Sequence, residues 1–352
     1  MNILKKVTCG AIAVAMAAGM TGCMDASWII KSGDTKLPSG VYVANMLENY
    51  LYGYMYQGTA YLNEEGVPEA LVDSAKEYCE TILAYKMKAD ELGLTLTEEE
   101  LAAVKSDDDM SWEDYSALYQ ANRVSQEAYD LTYEVSALSA KVFDAIYGEN
   151  GTNAVPVEEL RSIYDENYIK AGLMIFDKPA KVEISETSTE EQKKEVQDTY
   201  EASLADLRAE AEYWVAQAEA MMGEERGLTF NDVMIAYDME NTPLESNDNI
   251  NVGNRYAYID KRTEAVPAEV MEYLESAEVN AVEIVETEEY LVICCLQDGA
   301  NDEDFEAIRT NILLELKGDE MQQMMEDYLA SLNIEYNEAA LKRFTPDKLV
   351  VG

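Results

Sequence analysis

Apolar residues recur along this chain mostly at a helical period, with a few short runs of strand character. After Ser39, which can open a helix, Ala44, Leu47, Leu51, Tyr54 and Met55 fall at helical spacing and predict a helix to about Gln57. Residues 68–92 repeat the pattern through Leu71, Ala75, Tyr78, Cys79 and Ile82, and Gly93 follows as a C-terminal cap. Thr97 and Glu100 have the spacing of a capping box, so another helix opens there. Residues 111–147 read as further helices carrying Trp112, Tyr115, Tyr119, Tyr129, Tyr133 and Phe143. The stretch Gly148 to Pro156 is a loop and a natural domain boundary.

Beyond it the character changes. Val157 to Tyr168 predicts a helix and Ile169 to Phe176 a short apolar strand. Residues 177–190 form a polar linker into a long charged helix over 190–223, which carries Tyr200, Leu204, Leu207, Tyr213 and Trp214. A short helix opens at Gly227-Leu228-Thr229-Phe230, residues 241–256 read as an irregular loop, and 267–277 as a helix. Two strands are expected at Val282–Val285 and Tyr290–Leu296, and a last helix over 302–332 through Phe305, Ile308, Ile312, Leu316, Met324, Tyr328 and Leu332. Strands at both ends of helical material make the fold class α+β.

The N-terminus reads as a targeting segment. Lys5 and Lys6 precede a short apolar run, Ala11 to Met20, that is too short to span a bilayer. Small residues then lead to Cys23, as in a lipobox. Residues 1–22 are therefore expected to leave as a signal peptide, with Cys23 lipidated and residues 23–37 forming a tether. A diacylglyceryl group supplies two acyl chains, enough for stable anchoring on the outer face of a bacterial cytoplasmic membrane.

Charge then narrows the function. The chain has 26 basic and 70 acidic residues, a formal charge of −44 that becomes −46 once Lys5 and Lys6 leave and no acidic residue does. Such a surface argues against nucleic acid, which needs clustered Lys and Arg, and suits cationic or extended polypeptide partners. There is no histidine, so Ser-His-Asp and Cys-His units and histidine zinc sites are excluded. Cys79, Cys294 and Cys295 make no disulfide framework, and the last two point to opposite faces of a strand. All three read as small hydrophobes. A calcium loop over 248–259 fails, because with Gly253 sixth, Ile250, Val252 and Ile259 occupy ligand positions. No catalytic residue, metal site or cofactor is assigned.

Four stretches resemble one family. Lys88 to Glu100 is similar to a join between two chaperone-domain helices, Val157 to Tyr168 with its apolar strand to the entry into a parvulin domain, Gly227 to Val233 to a parvulin phrase before its irregular loop, and Tyr290 to Ile293 to the final parvulin strand. The closing Asn337 to Lys348 stretch, with Arg343-Phe344-Thr345-Pro346, is also typical of the family's tail. The chain resembles the extracytoplasmic foldase lipoproteins of the PrsA type, related to the periplasmic chaperone SurA. The resemblance implies a helical chaperone domain over 38–150, completed by a C-terminal helix and tail over 302–352, with a parvulin-like domain inserted over 157–298. Parvulins carry facing histidines in their first and last strands, and the matching positions here are Leu173 and Leu291. The implied parvulin is therefore degenerate.

The leading expectation is a membrane-tethered chaperone binding unfolded or nascent secreted polypeptides without efficient prolyl isomerisation. An active peptidyl-prolyl isomerase is the alternative, and a lipoprotein binding a small ligand or glycan a second one. The chain has 24 tyrosines against 5 phenylalanines, and tyrosine offers contact area with a polar handle. Tyr42, Tyr52 and Tyr56 lie off the core stripe of the first helix, and Met321, Met324 and Met325 add a soft patch. These six are the candidate client-binding residues.

Overall fold

The structure is a computed structural model that describes residues 27–106, 112–182, 189–223, 227–242 and 250–351. The signal segment and Cys23 lie outside the described residues, as do positions 243–249 of the loop expected over 241–256. The chain divides into two compact units, one of residues 1–155 and 315–352, the other of residues 156–314. The described residues form an α+β, mainly helical architecture with two small antiparallel sheets.

The first unit begins with a hairpin of β1 (Trp28–Ser32) and β2 (Thr35–Pro38), turned by Gly33 at φ 58°. A C-terminal strand, β7 (Ile334–Tyr336), adds to the other edge of β1. Helix α1 (Ser39–Gln57) follows β2 directly, and its first half is core on every side: Val41, Tyr42, Val43, Ala44, Met46, Leu47 and Tyr50 are buried. Around it pack α2 (Val67–Leu92), α4 (Trp112–Ala121) and α5 (Gln126–Tyr147), through Leu71, Cys79, Leu83, Tyr119 and Tyr129 among others. Gly93, at φ 67°, ends α2 with its N–H on the carbonyls of Ala89 and Asp90. Helix α3 (Glu98–Ser106) opens on the capping box: the Thr97 N–H donates to Glu100 at 2.7 Å and the Glu100 N–H to the Thr97 hydroxyl at 3.2 Å. Lys141 of α5 donates to the same carboxylate at 2.9 Å.

The second unit is a four-stranded sheet in the order β4-β3-β6-β5, all neighbours antiparallel. Its strands are β3 (Tyr168–Asp177), β4 (Ala257–Asp260), β5 (Val282–Glu286) and β6 (Tyr290–Leu296). Helix α6 (Val157–Asn167) leads into β3. One face of the sheet, through Met174, Phe176, Leu291, Ile293 and Cys295, packs on α7 (Glu190–Met222) and α8 (Phe230–Asn241). The other, through Ala171, Val292 and Cys294, packs on α9 (Ala268–Ser276) by way of Val270 and Leu274. Gly172 is required on the first face, because a Cβ there would overlap the ring of Phe230.

The last long helix, α10 (Asp302–Ser331), contributes its first turns to the second unit and its later ones to the first. The division falls at residue 315, not at 302, because the helix start is held within the second unit. Phe305 packs on Tyr164 with ring centroids 5.8 Å apart. Asp304 accepts from Lys170 at 2.7 Å, from Tyr258 at 2.6 Å and from Asn301 at 2.6 Å. The chain closes with α11 (Glu338–Arg343), whose Asn337 cap accepts from Ala339 and Ala340.

The Lys170–Asp304 pair is nearly buried, with side chains 14% and 6% exposed. Burial pushes the Asp304 carboxyl up, but hydrogen bonds from Lys170, Tyr258 and Asn301 outweigh it and hold the group below the ordinary aspartate range. Its stabilising effect is therefore complete above the unfolded value, about 3.9, and is lost as pH falls through the lower folded value. Asp304→Asn leaves the Lys170 charge buried without its counter-ion and is expected to destabilise the second unit by about 3 kcal/mol at neutral pH. Urea unfolding checks it: the deficit should shrink as pH drops below about 4, where the native carboxyl also becomes neutral.

Candidate functional site

Helix α1 has neighbours for only part of its length. Its second half, Leu51 to Gln57, contains no charged residue, so no polar face is available to meet water. Tyr52 and Tyr56 are 68% and 73% exposed, and Tyr54 and Met55 are exposed beside them. Spacing of four residues puts Tyr52 and Tyr56 on one face, where their rings meet edge-on with centroids 5.3 Å apart. A hydrogen bond to Tyr52, together with the charge that would develop there, raises the Tyr56 phenol above its ordinary range.

A second row supports this patch from beneath. Tyr50 is buried, and its ring lies 5.9 Å from Tyr54 and 6.0 Å from Tyr61. Burial is the main cause that raises the Tyr50 phenol. Gly58, at φ 64°, stops α1 and donates its N–H to the Tyr54 carbonyl. The chain then folds back through a 3-10 turn, Gly58–Asn63, that brings Tyr61 against the helix. Gly53 makes room for that ring, which a Cβ would overlap. The exposed aromatic row therefore stands on a packed one, which limits the entropy lost when a partner docks.

The six candidate client-binding residues separate. Tyr52 and Tyr56 stand in the patch. Tyr42 does not, being 1% exposed, because the first turns of α1 are covered on every side and have no face off the core. Met321 and Met325 are likewise buried, correcting the expectation of a soft surface patch there. They share a helix face with Tyr328, which donates to Glu91 of α2 at 2.7 Å and lies under Lys88 at 4.7 Å, so that face turns inward. Met324 is half-buried. Tyr54 and Met55 join the patch although their spacing assigned them to the core stripe. The uncharged run after Tyr50 carries the signal for them, since a helix apolar all round must either be enclosed or expose apolar surface.

In the second unit, Leu173 and Leu291 do not face each other. Leu173 pairs with Cys294 and Leu291 with Phe176 across the β3–β6 ladder. Leu173 packs on the α9 side and Leu291 on the α7–α8 side. Side chains alternate along a strand, so a one-residue offset between the matched positions moves one of them to the opposite face. Leu291 is surrounded by Met174, Phe176, Ile293 and Cys295, an apolar core without an acid–base pair. The thiols are equally unsuited to chemistry: burial pushes Cys294 up to about 12 and Cys295 up to about 11, and Cys79 is raised by the same cause. Among the described residues no group of three or more Cys, Asp or Glu is placed to hold a metal ion, and no helix is long and apolar enough to cross a membrane.

No family model and no curated protein matches the chain. Among solved structures it is similar to the foldase protein PrsA from Streptococcus pneumoniae, at 14% identity and a TM-score of 0.33, over 90% of this chain and 98% of that one. It is also similar to PrsA from Bacillus subtilis, at 13% identity and a TM-score of 0.35, over 90% and 97% of the two chains. A structure described as peptidylprolyl isomerase (PrsA) from Bacillus cereus gives 14% identity and a TM-score of 0.26 over 90% and 96%. At these values the reading of function rests on the chain's own residues.

Tyr42 supplies a control for the patch. Its hydroxyl is buried without a hydrogen-bond partner, and burial pushes the phenol up to about 12. Tyr42→Phe removes an unsatisfied polar group and is expected to stabilise the protein by about 1 kcal/mol in chemical denaturation, while leaving the α1 patch intact.

Proposed function

We propose that the protein is an extracytoplasmic chaperone that holds unfolded secreted polypeptides on the tyrosine patch of α1. The observation that carries this reading is the row Tyr52, Tyr54, Met55 and Tyr56, exposed on a helix whose other half is core. An extended chain without regular shape needs contact area that tolerates many sequences. Tyrosine supplies that area with a hydroxyl for whatever polar group arrives, and methionine adapts its shape. The strong negative charge favours encounter with basic clients. In this reading a lipid on Cys23 tethers the protein to the outer face of the membrane. Residues 38–150 and the C-terminal helix form the holding body, and the inserted 157–298 region keeps little isomerase activity.

The test is suppression of aggregation. The mature chain, without its lipid, should slow aggregation of a denatured basic client at near-stoichiometric ratio. Tyr52→Ser and Tyr56→Ser combined should remove most of that effect without lowering the melting temperature, since both rings are exposed. Equal suppression by the variant would assign holding to another surface.

In this reading the sheet supports little isomerase activity. Catalysis requires that the twisted amide be bound more tightly than the planar one, and neither Leu173 nor Leu291 brings a donor or acceptor. Each 1.36 kcal/mol lost there costs about tenfold in rate. The mature chain should therefore isomerise a proline peptide far more slowly than an intact parvulin does. A rate within about tenfold of that control would favour the isomerase reading instead.

A further inference from the structure

Within this protein, aromatic rings and carboxylates repeatedly share a cation. Lys31 lies 5.3 Å from the Trp28 ring and 2.9 Å from Glu335. Lys88 lies 4.7 Å from the Tyr328 ring and 3.2 Å from Glu91. Lys317 lies 5.6 Å from the Tyr147 ring and 2.7 Å from Glu320. Lys170 follows the same rule with Tyr256 and Asp304, and Arg161 with Tyr164 and Asp165. The ring face attracts the cation through its quadrupole and the carboxylate fixes the charge beside it.

The α1 patch has the same parts except the cation. From Leu37 to Ala75 the sequence contains no Lys or Arg, yet it holds six tyrosines and the acids Glu48, Glu64, Glu65, Glu69 and Asp73. Among the described residues no lysine or arginine stands over Tyr52, Tyr54 or Tyr56. The Gln57 side-chain amide lies against the Glu64 carboxylate and can donate to it in one of its two amide orientations. Glu64 and Glu65, just past the end of α1, are exposed. Charge complementarity therefore selects the occupant.

We propose that the α1 patch takes lysine and arginine side chains of extended polypeptides, with the cation on the exposed faces of Tyr52 and Tyr56 and the surrounding acidic residues supplying the negative field. This deepens the chaperone reading and rests on it. The client it favours is a basic segment with apolar residues between its charges, the apolar part lying on Tyr54 and Met55.

The test uses the mature chain and a labelled unstructured peptide of alternating lysine and apolar residues, against the same peptide with every lysine acetylated. Fluorescence anisotropy measures both affinities. The native protein should prefer the lysine peptide by about tenfold, the effect of two exposed ring–cation contacts. Tyr52→Phe with Tyr56→Phe keeps the ring faces and should keep the preference. Tyr52→Leu with Tyr56→Leu keeps apolar area and net charge, and the preference should fall several-fold. An undiminished preference in the leucine variant would assign it to the general acidic surface and overturn the proposal. Equal binding of both peptides by the native protein would overturn cation selection and leave polypeptide binding standing. Binding of neither peptide would remove the chaperone reading and the proposal with it.

Discussion

Apart from Asn45, Glu48 and Asn49, helix α1 is apolar from Gly40 to Tyr56, and the first unit encloses only the first half of it. Strands β1 and β2 and helices α2 and α5 cover the turns from Ser39 to Tyr50, where burying Leu47, Met46 and Val41 favours folding by about 1.5–3 kcal/mol per side chain. Past Tyr50 the same composition continues without cover. The rings of Tyr52 and Tyr56 stay in water, while Tyr50 and Tyr61 below them join the core. Stability and the capacity to bind therefore come from consecutive turns of one helix, and the rigidity of the first sets the position of the second.

The second unit solves a different problem. A four-stranded sheet covered on both faces needs apolar residues at successive positions of its central strands, which accounts for the run Leu291 to Cys295 in β6. The two cysteines go to opposite faces, and each is walled off from solvent, so neither thiolate forms readily. A nearly buried ion pair of this unit lies at the end of the sheet, where Lys170 and Asp304 tie β3 to the start of α10. Removing either partner would strand a charge and destabilise the unit.

Much of this was legible in the sequence, for local reasons. Helices α1, α2 and α5 follow apolar periodicity, and the Thr97–Glu100 box and Gly93 cap follow side-chain chemistry within a few residues. Strands β1, β2, β4 and β7 were not legible: each is short, β1 and β2 fall largely in the stretch 23–37 read as a tether although Ile29, Ile30 and Leu37 are core, and β7 pairs with a strand from the other end of the chain. The surface role of Tyr42, Met321 and Met325 failed for the same reason: period shows which residues share a face but not whether another element covers it. Tyr54 and Met55 invert that error. The facing of Leu173 and Leu291 depended on a register that only the β3–β6 hydrogen bonds define.

The central claim is that polypeptide clients lie on the second half of α1. A photo-reactive amino acid in place of Met55, irradiated with a denatured basic client, tests it directly. The account predicts a covalent client adduct at position 55 and little at Glu201, an acidic and exposed position on α7. Adducts of equal yield at the two positions, or none at 55 while aggregation is still suppressed, would contradict it.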